Sequence, residues 1–219
     1  IAELPDLQCA WQLLIKCAVP RDNYWIRTLP PSLSASYASQ RDEALWDASL
    51  SLLHAKDVPE PLRRTGRRIA ELPARMGGLG LRSTIRTAPA AYWASWADAL
   101  EMIKARNPDL TARILARLTA GTSPEDGCLH ELATCAELLR REGFDNLPSW
   151  GALGDGLRPP PLPQTQDPTD RTPGWQFFAS SSRENSARTD LLRSMCRSAQ
   201  ALLRSQSGPG ASAALDAAP

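Results

Sequence analysis

The chain has few of the features that usually name a function. It has two histidines, no adjacent pair of aspartates and a formal net charge of only +1 over 219 residues. No Ser/His/Asp set can be argued from His54 and His130 alone. Five cysteines, Cys9, Cys17, Cys128, Cys135 and Cys196, form no close pair and are odd in number. That pattern speaks against a secreted disulfide framework and for a reducing compartment. No window approaches the roughly 18–20 continuous apolar residues of a membrane span. The chain opens on Ile1 without a basic, then apolar, leader, so no signal peptide is expected. An intracellular protein, nuclear or cytoplasmic and apart from membranes, is the expectation. A start on Ile is what a piece of something longer would show.

Phe and Tyr are scarce as well, three of each, against seven Trp. A core anchored by a few large rings follows. Apolar residues make up 42% of the chain, enough for a core, although many are alanines that bury little area each.

What is present is mostly helical periodicity. Leu7, Trp11, Leu14, Ile15 and Ala18 form a stripe over Pro5 to Ala18, with Pro20 as the expected stop. Ser34 or Ser36 is expected to cap a second helix running to about His54. A third spans Glu60 to Leu72. Thr87 reads as the cap of a fourth, with Pro89 in its first turn and Trp93, Trp96, Leu100 and Ile103 on its buried face. Helices over Asp109 to Leu118 and Leu129 to Leu139 follow, the second ended by Gly143, and then a short irregular piece at Trp150. The residues from Gly154 to Gly174 are rich in Pro, Asp, Thr and Gln and read as a linker, with polyproline material at Pro159 to Pro163. Trp175 to Phe178 is an apolar patch that must dock, and a last helix is expected from Arg183 to Ser205. The expectation is an all-α fold: an irregular helical array over 1–153, a linker over 154–174, a helical segment over 175–207 and a frayed tail over 208–219.

The stretch around which the rest is arranged is Leu72-Pro73-Ala74-Arg75-Met76-Gly77-Gly78-Leu79-Gly80-Leu81-Arg82-Ser83. Gly77, Gly78 and Gly80 exclude a helix interior, each costing roughly 1 kcal/mol there relative to Ala. They offer positive φ and close backbone approach instead. Leu79 and Leu81 point the same way if the piece is extended. It is not a phosphate loop, since the Lys-Ser/Thr of a Walker motif and the preceding strand are both missing. A turn between helices is the simpler reading.

Around it lies the one charged feature with weight. From Pro59 to Arg86 there are seven arginines, Arg63, Arg64, Arg67, Arg68, Arg75, Arg82 and Arg86, against two glutamates. Two readings stand side by side: a solvated face with partner carboxylates, and a surface that tracks phosphates. Tyr92, Trp93 and Trp96 could stack on bases, but at helical spacing core packing is the stronger expectation. Cys128, His130 and Cys135 have the wrong spacing for a zinc site. No metal and no cofactor is expected.

The glycine stretch, Leu72-Pro-x-x-x-Gly77-Gly78-Leu79-Gly80-Leu81-x-Ser83, resembles the element that follows the polymerase domain in reverse transcriptases of non-LTR (LINE-type) retrotransposons. Leu13 to Arg21 with Ile26 to Pro31, Thr87 to Leu100, Gly174-Trp175-Gln176 and Ala201 to Pro209 resemble further landmarks of one branch, in order. The resemblance implies a post-polymerase, thumb-like helical region and a connector toward a C-terminal nucleic-acid-binding or endonuclease part. The family's Tyr/Phe-x-Asp-Asp box is absent from this sequence, so polymerase activity does not carry over. The expected function is a non-catalytic segment that touches template RNA or target DNA through the seven arginines, with the rest of a parent polyprotein as partner. A helical scaffold or protein-interaction module, or the relic of a decayed element, is the alternative.

Overall fold

Leu72, Trp93, Leu100, Leu132 and Leu139 are wholly shielded from solvent, and helices built on their stripes make up the protein. The computed structural model describes residues 4–161 and 173–208, and among these no strand is present. The fold is all-α. The expected linker departs from expectation at its start, where Gly154 ends a short helix and Asp155 and Arg158 pair with Lys104 and Glu101. Residues 162–172 of it, with the last two residues of the polyproline run, and 209–219 of the tail lie outside the described residues.

The chain divides into two units, each assembled from separated stretches. The described residues of Ile1–Asn23, Ala35–Arg86 and Glu184–Pro219 form one; those of Tyr24–Ser34 and Thr87–Arg183 form the other.

The chain enters through α1 (Leu7–Gln12), capped by the Asp6 side chain, which accepts from the Cys9 amide at 2.9 Å. Helical winding then continues where a stop was expected. A π-helical turn, Leu13–Ala18, passes into a 3-10 turn, Val19–Asp22, and on into α2 (Asn23–Thr28). Pro20 lies at the start of the 3-10 turn, where its missing N–H is not needed. Helix α3 (Pro31–Leu52) begins at Pro31 rather than at a Ser cap, for the same reason. It ends in a Schellman motif: Ala55 N–H donates to Leu50 O at 2.9 Å and His54 N–H to Ser51 O at 3.3 Å, with His54 at φ 50°. His54 thus takes the place glycine usually holds. Helix α4 (Glu60–Ala70) follows.

The glycine stretch is a connector, as expected. A 3-10 turn, Ala74–Met76, ends at Gly77 with φ 87°. The chain then doubles back, and the amides of Leu79 and Leu81 both donate to Ala70 O, at 3.2 and 3.0 Å. Leu79 and Leu81 both join a cluster with Ala10, Leu14, Leu52 and Ala70. Gly78 is required by space: a Cβ there would lie 2.1 Å from Leu72 O and 2.5 Å from Ile69 O.

Helix α5 (Thr84–Arg106) starts three residues before the expected Thr87. Its cap comes from far away in sequence. The Asp42 carboxylate accepts from the Thr84 amide at 2.7 Å, the Ile85 amide at 3.2 Å and the Ser83 hydroxyl at 2.7 Å, while Ser83 Oγ accepts from the Arg86 amide at 3.2 Å. Pro89 is therefore inside the helix and not in its first turn.

The second unit packs α6 (Pro108–Ala120), α7 (Cys128–Arg141), α8 (Trp150–Gly154) and the start of α9 (Trp175–Ser194) around α5. The piece at Trp150 is a short helix capped by Ser149. Gly143, at φ 86°, ends α7 as expected. The Trp175 patch docks edge-on against Trp93, ring centres 5.9 Å apart, and Phe144 meets the same indole at 5.6 Å. The expected last helix is two: α9 and α10 (Arg197–Ser205), divided at Met195 and Cys196.

Candidate nucleic-acid interface

All seven arginines of the cluster fall in the first unit. Four of them, Arg63, Arg64, Arg67 and Arg68, lie on α4, where three- and four-residue spacing stacks them over neighbouring turns. Such like charges repel, and the fold answers with carboxylates. Glu60 sits 4.0 Å from Arg63 and 3.7 Å from Arg64. Arg67 lies between Glu43, at 2.5 Å, and Glu71, at 3.0 Å. Burial weakens the Arg67 charge, but hydrogen bonds to Glu43 and then Glu71 more than offset it and hold its pKa above the ordinary value. Arg86 shares Glu71, with 3.4 Å between charges, and donates to the Glu71 carbonyl at 3.1 Å. Arg68 donates to Ser194 Oγ at 3.2 Å.

Arg75 and Arg82 meet at one residue. Glu184 places one oxygen 2.9 Å from Arg75 and the other 3.7 Å from Arg82. Its own side chain is 9% exposed, while those of Arg75 and Arg82 are 38% and 53% exposed.

The cluster is therefore wired. Among the described residues four carboxylates, Glu43, Glu60, Glu71 and Glu184, pair with six of the seven arginines, and an excess of three positive charges remains on the set. Arg64, with 76% of its side chain exposed, is the most accessible of the paired members. Pairs at such exposure contribute between zero and about 1 kcal/mol each, so a phosphate can compete for them. Arg67 and Arg86 are far less accessible, at 25% and 21%, and each also ties α4 to another part of the unit.

Sequence reasoning missed two of these four partners. Glu71 was legible as the i+4 neighbour of Arg67. Glu43 and Glu184 come from 24 and 109 residues away from the arginines they bind, and no local pattern marks them. A second buried polar knot in this unit was missed too. Arg41 pairs with the buried Asp22, donates to the Ala18 carbonyl and, at 2.9 Å, to Thr84 Oγ1, and Tyr37 donates to Asp22 at 2.9 Å. Burial pulls the Arg41 pKa below its ordinary value, yet an arginine stays charged at neutral pH. This knot holds the entry of the chain to α3 and α5. A cavity bordered by Asp42, Trp46, Arg67 and Leu81 measures about 10 Å³, space for one water and not for a substrate.

The glycines do not open a face to a ligand at Gly77 or Gly78. A Cβ on Gly77 would meet Leu203 Cδ1 and Leu203 O, both at 2.7 Å, and the flank of Gly78 is closed by the Leu72 and Ile69 carbonyls. Only Gly80, at φ 77°, combines this stretch with open space where its side chain would be. The expected stacking residues are engaged elsewhere. Tyr92 and Trp93 are buried in the second unit's core, and Trp96 packs on it half-buried. Burial lifts the Tyr92 hydroxyl to about 12. In the Cys128, His130 and Cys135 set, Cys135 is buried and Cys128 exposed, and His130 Nδ1 lies 3.3 Å from Thr122 Oγ1. Among the described residues no three His, Cys, Asp or Glu side chains gather into a metal-holding group, and no helix is long and apolar enough to cross a membrane.

The chain matches no protein-family model, no curated protein and no solved structure.

Proposed function

We propose that this chain is a non-catalytic helical segment of a non-LTR retrotransposon reverse transcriptase, and that it contacts template RNA or target DNA through the arginines of the first unit. Two things support the reading: the ordered landmarks of the sequence, from Leu13 to Pro209, and the charge excess of the cluster. The observation that carries it is the excess. Six of the seven guanidiniums share four carboxylates. Arg64 is held by an exposed pair with Glu60 at 3.7 Å, and Arg68 by a serine hydroxyl. Four of the seven arginines then divide by role. Arg64 and Arg68 reach phosphates, whereas Arg67 and Arg86 hold α4 and α5 in place.

Arg64→Ala with Arg68→Ala should weaken binding of a primer–template duplex about tenfold and lower the salt slope by about 2, near 0.9 for each phosphate that is no longer neutralised. Fluorescence anisotropy at several salt concentrations reads both. An unchanged slope overturns the reading. The wiring favours a second reading, a helical scaffold in which the arginines serve the protein itself. Under it, the duplex binds no better than to any mildly basic control, and the double variant changes nothing.

A further inference from the structure

The residues that follow Glu184 close over the glycine connector within the first unit. Leu191 and Leu203 are buried with Leu72 and Met76. Leu203 and Ser207 occupy the space a Gly77 side chain would need. The Gly208 amide donates to Arg75 O at 2.9 Å, Ser207 Oγ to Leu203 O at 2.7 Å, and Arg188 to Ser207 Oγ at 3.2 Å. Glu184 stands at the head of this segment with its two oxygens divided between Arg75 and Arg82.

That arrangement has the shape of an occupied anion seat. Two guanidiniums, one from before the glycines and one from after, converge on the two oxygens of one carboxylate. A phosphodiester presents a similar two-oxygen edge with the same charge, and Arg suits both. The two arginine side chains keep a third to a half of their surface in water while the glutamate side chain they hold is almost shut away. The open flank of Gly80, two residues before Arg82, leaves room for a sugar-phosphate chain to pass.

We propose that Arg75 and Arg82 form a seat for a backbone phosphate of bound nucleic acid, and that Glu184 fills this seat until the phosphate displaces it. The proposal rests on the nucleic-acid reading above. Because Glu184 is carried by the segment that covers Leu72 and Met76, displacing it also loosens 191–208.

The test uses the full chain and a labelled RNA–DNA primer–template duplex. Glu184→Gln keeps the side chain's size and removes the competing charge. It should tighten binding about three- to tenfold and steepen the salt slope by about 1 to 2, as two further guanidiniums lose the carboxylate that competes with phosphate. Adding Arg75→Ala and Arg82→Ala should abolish both effects. Equal affinity in Glu184→Gln and the unsubstituted chain overturns the proposal. Hydrogen exchange on the unsubstituted protein gives a readout that does not depend on the variant folding. Amides of 191–208 should lose protection when the duplex saturates, and unchanged protection also overturns it. The two claims fail separately. The nucleic-acid reading falls with an unchanged slope in the Arg64/Arg68 variant, and the seat falls with an unchanged affinity in Glu184→Gln.

Discussion

The two units of this chain solve the same problem with different material. The second is held by large rings and leucines. Trp93 is fully buried with Phe144 and Trp175 edge-on to it, Leu100, Leu132, Leu139 and Leu153 complete one large cluster, and Ile26, Ala88 and Ala91 form a small second one. The first has two smaller clusters, one around Leu14 and Leu81 and one around Leu72 and Leu203. Charge adds to them between its elements: Asp22 with Arg41, Glu43 and Glu71 with Arg67, Glu184 with Arg75 and Arg82, and Asp42 at the head of α5, whereas in the second unit pairs such as Arg27 with Asp98 and Arg183 with Glu142 supplement one large ring-centred cluster. An apolar core gains free energy wherever area is buried and tolerates small shifts. A charge network gains only while donors and acceptors stay aligned, and a broken pair leaves a desolvated ion behind. A unit built in the second way is easier to open with a competing anion. The arginines of the proposed interface all lie in the first unit.

Trp93→Ala breaks the comparison most severely. It removes the ring on which Phe144 and Trp175 both rest and leaves a cavity no neighbour can fill, a loss of about 3–5 kcal/mol. Urea unfolding followed by circular dichroism measures it. If the loss were below about 1 kcal/mol, the second unit would not be organised by that indole. In the first unit the matching weak point is backbone, not side chain. Gly78→Ala places a methyl 2.1 Å from a carbonyl oxygen, and the α4 end and the connector must part to admit it. The expected cost is about 2–3 kcal/mol. Hydrogen exchange should show weaker protection at Leu79 and Leu81, whose amides both bond to Ala70 O. A uniform decline across the chain, without focus there, would mean that the connector is not the local keystone.

These two sites also show what the sequence could and could not disclose. The Trp93 stripe follows from helical spacing alone, and the glycine turn from three residues that cannot sit in a helix. Both are local facts. The helix starts were misplaced for non-local reasons. Thr87 looks like a cap, but Asp42, 42 residues earlier than Thr84, supplies the charge that starts α5 instead. Pro20 looks like a stop, but the chain winds through it as a 3-10 turn because a first-turn proline costs a helix nothing. The break at Cys196 has no glycine or proline to announce it. The candidate interface was half legible in the same way. The arginines are close together in sequence, whereas two of the four carboxylates that occupy them come from α3 and α9. Charge partners across a fold leave no period to read.

Protonation sharpens the same contrast at the smallest scale. Burial, and then the nearby Glu131 charge, pushes the Cys135 thiol up to about 12, and burial lifts Tyr92 to about 12 as well; both belong to the second unit. For each group the neutral form is favoured in the folded state. The stability it contributes is therefore complete below its unfolded pKa, near 8.5 for a thiol and near 10 for a phenol. It is lost as pH rises toward 12, by at most about 1.4 kcal/mol per pH unit per group. Between roughly pH 8.5 and 9.5, where of these two groups it is mainly the thiol that titrates in the unfolded chain, the unsubstituted protein should lose about 1 kcal/mol that Cys135→Ala does not lose. Parallel urea titrations across that window decide the matter. Cys196 offers the opposite case. It is exposed, and the Ser198 hydroxyl followed by the Ala199 amide draws its thiol below the ordinary range. Iodoacetamide at neutral pH should label Cys196 well ahead of Cys135. If the pH slopes of the two proteins coincide, the Cys135 thiol is not sealed, and the dry core that sets the second unit apart from the first has to be redrawn at α7.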